Sequence, residues 1–318
     1  EISMLIPVSV ASAEMRNPPT HPLRGLHDGA EWLFNAQLPG WAVEPLYSHG
    51  DLSSTPIVDG SRYQQAGVRL IVRLNYSYAK GDGGQGTFPH PDRYADFINW
   101  CLRIIYRSRS VWGWIIGNEP NRAAERPDPH RAITPADVLH IYNTVWYHAR
   151  TTDRLSPPSI DPTNYESGDP RGYWQTIVNE LRGAEFFALH AYSYGPQQPV
   201  DTRERFNPPM GWQYYGFRMW EPFAAVLYNY RRDGVYPWRR LPIVISETNH
   251  LFRDHVGGPM GWNPSATFWI RDVFDYVRRW NEGPGSQFVH AICLYRHRGD
   301  VWRIDDKPAL LDALRQVG

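Results

Sequence analysis

Residues 111–121 read VWGWIIGNEPN, and a second stretch, 241–250, reads LPIVISETNH. Each opens as a short apolar run rich in β-branched and aromatic side chains, the composition of a strand covered on both faces. Each then meets a carboxylate, Glu119 in the first and Glu247 in the second. A buried strand that delivers a glutamate at its C-terminal tip fixes the position of an acid, and two such strands predict a pair of carboxyl groups facing one pocket.

Outward from these two stretches, strands and helices alternate. Leu23–Asp28 and Gly40–Leu46 predict the first two strands, Ser61–Ala66 a brief helix closed by Gly67, and Arg69–Tyr76 a third strand buried on both faces. From Pro91 to Arg107 the residues Tyr94, Phe97, Ile98, Cys101, Leu102 and Ile105 recur at spacings of three and four, an amphipathic helix. After the strand Val111–Gly117, Thr134-Pro135 marks an N-cap with proline at the first helical position of a helix running to about Arg150. Ser159–Asp161 is assigned as the fifth strand chiefly because the alternation requires one. Tyr173–Leu181 predicts a helix, Glu185–Tyr192 a strand, Phe217–Arg231 a helix, Leu241–Ser246 a strand, Pro264–Trp280 a helix, Phe288–Tyr295 the eighth strand and Pro308–Arg315 a last helix. Eight strands, each followed by a helix or room for one, predict an α/β fold, a single (β/α)8 TIM barrel spanning 1–318 with an N-terminal extension over 1–20. The competing doubly wound sheet lacks its signature: Gly81, Gly83, Gly84 and Gly86 follow the third strand, not the first, and open no helix.

Composition narrows the partner. Thirty-three Lys+Arg balance 33 Asp+Glu, a formal net charge of +0, so no overall field draws the chain to nucleic acid or an anionic membrane. No apolar run reaches membrane-spanning length. Met4–Ala13 is mildly apolar but has no basic flank, so neither a signal peptide nor a transmembrane segment is expected within the chain, compatible with a secreted or a cytoplasmic protein. Cys101 and Cys293 read as small buried hydrophobes rather than a disulfide or metal pair. The 14 Trp and 19 Tyr exceed what a core of this size needs and leave rings for a binding face.

Two carboxyl groups at one barrel mouth suit acetal hydrolysis, in which one acid protonates the departing oxygen while a carboxylate attacks carbon or activates water. A metal-dependent hydrolase is the competing enzyme class, with His27, Asp28 and Glu31 near the first strand and His250 and His255 after the seventh. Neither a His-x-His at the first strand nor a lysine ending a middle strand supports it, so no metal and no cofactor are expected. The non-enzymatic alternative is a barrel that binds carbohydrate without cleaving it.

Asn118-Glu119-Pro120 after the apolar run Trp112–Gly117 resembles the strand-four motif of clan A glycoside hydrolases, the retaining (β/α)8 enzymes that include family 5 cellulases and mannanases and family 39 xylosidases. Ile245-Ser246-Glu247 resembles their strand-seven nucleophile, and His190-Ala191-Tyr192 their strand-six His-x-Tyr. The resemblance implies Glu119 as acid/base, Glu247 as nucleophile, Asn118 on the sugar 2-hydroxyl, Tyr192 holding the nucleophile, His190 setting the acid/base, and a carbohydrate substrate. The chain departs from family 5 at three other tips, which carry Glu44, Asn75 with Tyr76, and Tyr295 with Arg296. Asn75, His27 and Tyr295 are further strand-tip candidates for sugar hydroxyls, and Trp212 and Trp262 candidate ring platforms. Chemistry adds that Glu119 must be protonated near neutral pH, with Trp112, Trp114 and Glu247 as the expected causes, and that Glu247 must stay ionised.

Overall fold

The computed structural model describes residues 17–78, 86–194, 198–235, 237–253, 260–284 and 287–318. Met4–Ala13, Gly81, Gly83, Gly84 and His255 lie outside the described residues.

Among the described residues nine strands form one sheet: β1 (Arg24–His27), β2 (Gly40–Tyr47), β3 (Val68–Asn75), β4 (Gly113–Ile116), β5 (Leu155–Ser156), β6 (Phe187–Tyr194), β7 (Ile243–Arg253), β8 (Met260–Trp262) and β9 (Val289–Leu294). Their order is β5-β4-β3-β2-β1-β9-β7-β6, every neighbour parallel, with β8 antiparallel on the end of β7. The order keeps chain sequence and brings β9 back against β1, which excludes the doubly wound sheet; the result is a curled, mostly parallel α/β sheet.

The expected closure of the barrel is where the structure differs. No ladder joins β5 to β6 among the described residues. Instead Ser156 Oγ accepts from the Ala188 amide at 2.9 Å, and the Glu185 amide donates to the Leu155 carbonyl at 2.9 Å. The cause is local: Pro157 and Pro158 follow Ser156 and supply no amide protons, so the strand stops at two residues. Its centre therefore lies N-terminal to the predicted Ser159–Asp161, which is loop.

Helices cover the sheet: α1 (Glu31–Asn35), α2 (Ser61–Gln65), α3 (Tyr94–Arg107), α4 (Pro135–His148), α5 (Pro170–Glu180), α6 (Glu221–Asn229), α7 (Thr267–Glu282) and α8 (Pro308–Gln316). The longer ones bury the apolar stripe that predicts them; α3, for example, turns Phe97, Ile98, Cys101 and Ile105 inward, whereas the short α1 is not among the predicted helices and α2 buries no side chain. Thr134 caps α4 in a reciprocal box with Asp137, satisfying amides that the first turn leaves unpaired. One apolar cluster runs from Leu23 to Val317. Both cysteines are free and buried within it. Among the described residues no helix is long and apolar enough to cross a membrane.

Strand β7 outruns its prediction by seven residues. Beyond Ser246 its sequence turns polar, because its alternate residues Glu247, Asn249 and Leu251 line a cavity rather than the core.

Candidate active site

The C-terminal ends of the strands open into a cavity of about 750 Å³ whose walls include both predicted carboxylates. Backbone irregularity aims each of them. Past the end of β4, Gly117 takes φ +87° and Glu119 φ +39°, a left-handed turn that reverses the chain into the mouth. Only glycine fits the first position, since a Cβ there would stand 2.5 Å from the Phe88 ring. The Glu119 amide donates to the Ser159 carbonyl at 2.9 Å, and Asn121 brackets Asp161 through its side-chain amide, tying the β4 loop to the β5 loop. Glu247 sits where the pairing of β7 with β9 skips between Ile245 and Thr248, opposite His190 of β6.

Glu247 is surrounded by donors. Arg73 Nη1, from the inward face of β3, bonds its Oε1, and the same nitrogen reaches Asn118 Oδ1 at 2.8 Å. Tyr192 donates its hydroxyl to Oε2 at 2.9 Å, and His27 Nε2 stands 3.3 Å from Oε1. Burial opposes the charge, but the His190, Arg73 and His27 charges and bonds outweigh it and hold the carboxyl well below the usual range. It is ionised at neutral pH.

Glu119 is held by a different set. Its Oε1 lies 2.7 Å from His190 Nδ1 and 3.3 Å from the Tyr192 hydroxyl, while Oε2 accepts from Arg122 Nη1 at 2.9 Å. Burial and the Glu247 charge push its carboxyl up, yet His190 and Arg122 outweigh them and leave it below its ordinary value, against the expectation that it be protonated near neutral pH. Neither expected tryptophan borders the carboxyl: Trp112 packs with Trp41 and Phe186 below the strands, and Trp114 is core. Two further acids line the same cavity. Burial and the Glu119 charge push Glu125 up to about 8, against the Tyr78 hydroxyl that donates to it at 2.5 Å. The same two causes raise Asp161 to about 6.

The remaining predicted contacts divide. Asn118 and Tyr295 line the cavity. Asn75 and His27, both at 0% exposure, lie behind its wall: Asn75 accepts from Thr87 at 3.1 Å, and His27 bridges toward Asp28 Oδ2 at 2.6 Å and Glu247, a backing position rather than a sugar contact. Trp262 belongs to β8, is 2% exposed and donates its indole N–H to the Tyr295 carbonyl at 2.7 Å, so it has no free face. Trp212 packs on the core beneath Arg171, whose guanidinium sits 4.6 Å from the ring, and is not in the cavity wall. Tyr47, Tyr78 and Trp302 present the aromatic lining instead. Arg122, Glu125 and Asp161 are not among the predicted site residues because they lie in a 3-10 turn and loops without periodicity; Arg73 is visible only as an arginine within an otherwise apolar strand.

One group among the described residues has the spacing for a metal: Glu119, His190 and Glu247 offer one donor atom each, all within 4.8 Å of one another. The fit is poor, since Arg73 and Arg122 already bond the two carboxylates and their charges oppose a dication. Asp28 and Glu31 pair with Arg296 and Arg298, and His250 packs against Trp269, so those residues do not converge on one point.

No protein-family model and no curated protein matches the sequence. Solved structures do. A glucosidase from Croceicoccus marinus matches with a TM-score of 0.55 at 13% identity, covering 88% of this chain and 60% of that one. A GH128 subgroup III curdlan-specific exo-β-1,3-glucanase from Blastomyces gilchristii, in complex with glucose, gives 0.50 at 15%, covering 92% and 97%. A GH128 subgroup VII oligosaccharide-binding protein from Trichoderma gamsii gives 0.50 at 13%, covering 94% and 95%. At these identities the likeness is one of fold.

Proposed function

We propose that the chain is a single-domain, TIM-like retaining glycoside hydrolase of clan A type, acting on a β-linked glucan by double displacement. The observation that carries this reading is the carboxylate pair: two buried acids from different strand tips, with an oxygen of each within 4.8 Å, inside one cavity. That separation suits a nucleophile attacking the sugar carbon directly; an inverting pair stands about 6.5–9.5 Å apart to admit water. Glu247 attacks the anomeric carbon as the glycosidic C–O bond breaks, and the departing oxygen takes a proton from Glu119. Water then attacks the glycosyl ester, gives its proton to Glu119 and releases Glu247, which restores both groups. Asn118, Tyr295, Tyr47 and Trp302 line the same cavity, which supports them as contacts for sugar hydroxyls and ring faces.

β-Glucan is the preferred substrate class because the structural neighbours include a β-1,3-glucanase. Incubation with curdlan, laminari-oligosaccharides and a panel of other β-glycans, with the product anomer followed by NMR, tests it: cleavage with retained configuration is expected, and inverted product sinks the mechanism. A second reading, carbohydrate binding without cleavage, is favoured by the full occupation of both Glu119 oxygens and by the oligosaccharide-binding neighbour. Binding by calorimetry with no product over the same panel would select it. Loss of cleavage on chelation would select a metal hydrolase instead.

A further inference from the structure

General acid catalysis needs an oxygen of Glu119 that can carry a proton toward the substrate, and in this structure both are taken. Oε1 is taken by the buried His190 and by the half-buried Tyr192. Oε2 is therefore the oxygen from which a proton can reach the cavity, and it accepts from Arg122. The two partners differ in kind. Imidazole Nδ1 can donate to a carboxylate or accept from a carboxylic acid, so the His190 contact survives protonation of Glu119. A guanidinium has donors only, so a proton on Oε2 and Arg122 at Oε2 compete for that oxygen, and the arginine charge opposes the proton.

Arg122 has somewhere else to go. Its Nε makes no hydrogen bond here and stands 3.5 Å from Asp161 Oδ2. Thr163 occupies the other Asp161 oxygen through its amide at 2.9 Å and its hydroxyl at 3.1 Å, which leaves Oδ2 toward the arginine. The Arg122 side chain is 42% exposed, against 4% for that of Glu119, so it can turn without disturbing the core. We propose that Arg122 decides when Glu119 can act as an acid: Glu119 carries a transferable proton only while Arg122 has left Oε2 for Asp161. The inference rests on the hydrolase reading for its consequence, though its geometry stands apart from it. Arg122 is a positioning residue in this scheme. It gives Glu119 a way to be an acid in one half-reaction and an ion in the other. The groups facing Glu119 are His190 and Tyr192 from β6, Glu247 from β7, Asp161 from the β5 loop, and Arg122 and Glu125 from its own loop. Of these, Asp161, raised to about 6, is ionised at neutral pH and able to receive the arginine.

The test is a carbon-13 titration of glutamate side-chain carboxyls, with the Glu119 resonance identified by its loss in Glu119→Gln. Arg122→Gln is expected to raise the Glu119 midpoint by about one pH unit or more, the effect of removing an adjacent cation. Arg122→Lys, which keeps a cation with a shorter reach, is expected to raise it less. Asp161→Asn, which removes the alternative partner, is expected to lower it. The alkaline limb of kcat/KM should move with the midpoint in each variant. A midpoint that stays in place in both Arg122 variants, or that moves the same way in Arg122→Gln and Asp161→Asn, overturns the proposal. Binding without any product from the wild-type protein would sink the hydrolase reading alone, because the titration reads the arginine whether or not the protein cleaves anything.

Discussion

The two sides of the cavity hold their carboxylates in opposite ways. On the β3–β7 side, Glu247 belongs to a long paired strand and is fastened by Arg73, Tyr192 and His27, all from strand interiors or tips. On the β4–β5 side, Glu119 hangs from a left-handed turn and shares its charge with a half-exposed arginine that has a second acid within reach. One side fixes a charge; the other leaves it adjustable. A double displacement needs that difference, since the nucleophile keeps one protonation state until it is alkylated while the acid must give up a proton and later recover it.

The hardest way to break the comparison is to remove the fixed charge. Glu247→Ala is expected to lower turnover on the order of 10⁴-fold or more, with partial recovery when azide is added to an activated aryl glycoside; Glu119→Gln should cost about 10²- to 10⁴-fold on the natural glycan and less on an activated one. Equal losses on both substrates in Glu119→Gln would contradict its role as acid.

Next comes the fastening. Arg73→Met leaves a buried carboxylate without its guanidinium and should destabilise the fold by about 3–5 kcal/mol in denaturant unfolding at pH 7. The pH dependence has a definite sign. Glu247 is depressed in the folded state, so its contribution is present above the unfolded carboxyl value of about 4.3 and is lost as pH falls toward the folded value. Arg73→Met should weaken that acid-side slope, with His190 and His27 holding the remainder. A variant as acid-sensitive as the wild type would show that some other group carries it.

On the adjustable side, Gly117→Ala sharpens the contrast. Its φ of +87° and the 2.5 Å approach to Phe88 should cost about 2–4 kcal/mol, and the displaced turn should reduce kcat more than KM. Glu125 supplies a smaller effect of opposite sign. Its carboxyl is raised to about 8, so the unfolded chain releases that proton first and the group costs stability as pH rises from about 4 to 8. Glu125→Gln should therefore gain on wild type across that range, by about 1 kcal/mol or more. The smallest expected change lies far from both carboxylates: Thr134→Ala removes the α4 cap for about 1 kcal/mol and leaves activity as it was.

Much of this was written in the chain itself. Alternating apolar runs and amphipathic stripes mark seven of the eight predicted strands and every described α-helix but the short α1, because periodicity and caps are local properties of a few consecutive residues. A glutamate immediately beyond an apolar run is local in the same sense, and so Glu119 and Glu247 could be named and placed at strand tips. Where a prolyl pair cuts β5 short, the strand lies a few residues before the position that alternation predicts, and among the described residues no ladder joins β5 to β6. What only the tertiary structure decided is which side chains meet. Arg73 and Glu247 lie on β3 and β7, Arg122 chooses between two acids, and Trp262 turns into the core while Trp302 faces the cavity. Burial and charge pairing are set by neighbours distant along the chain. No reading of consecutive residues contains them, and the protonation of every acid in the cavity depends on them.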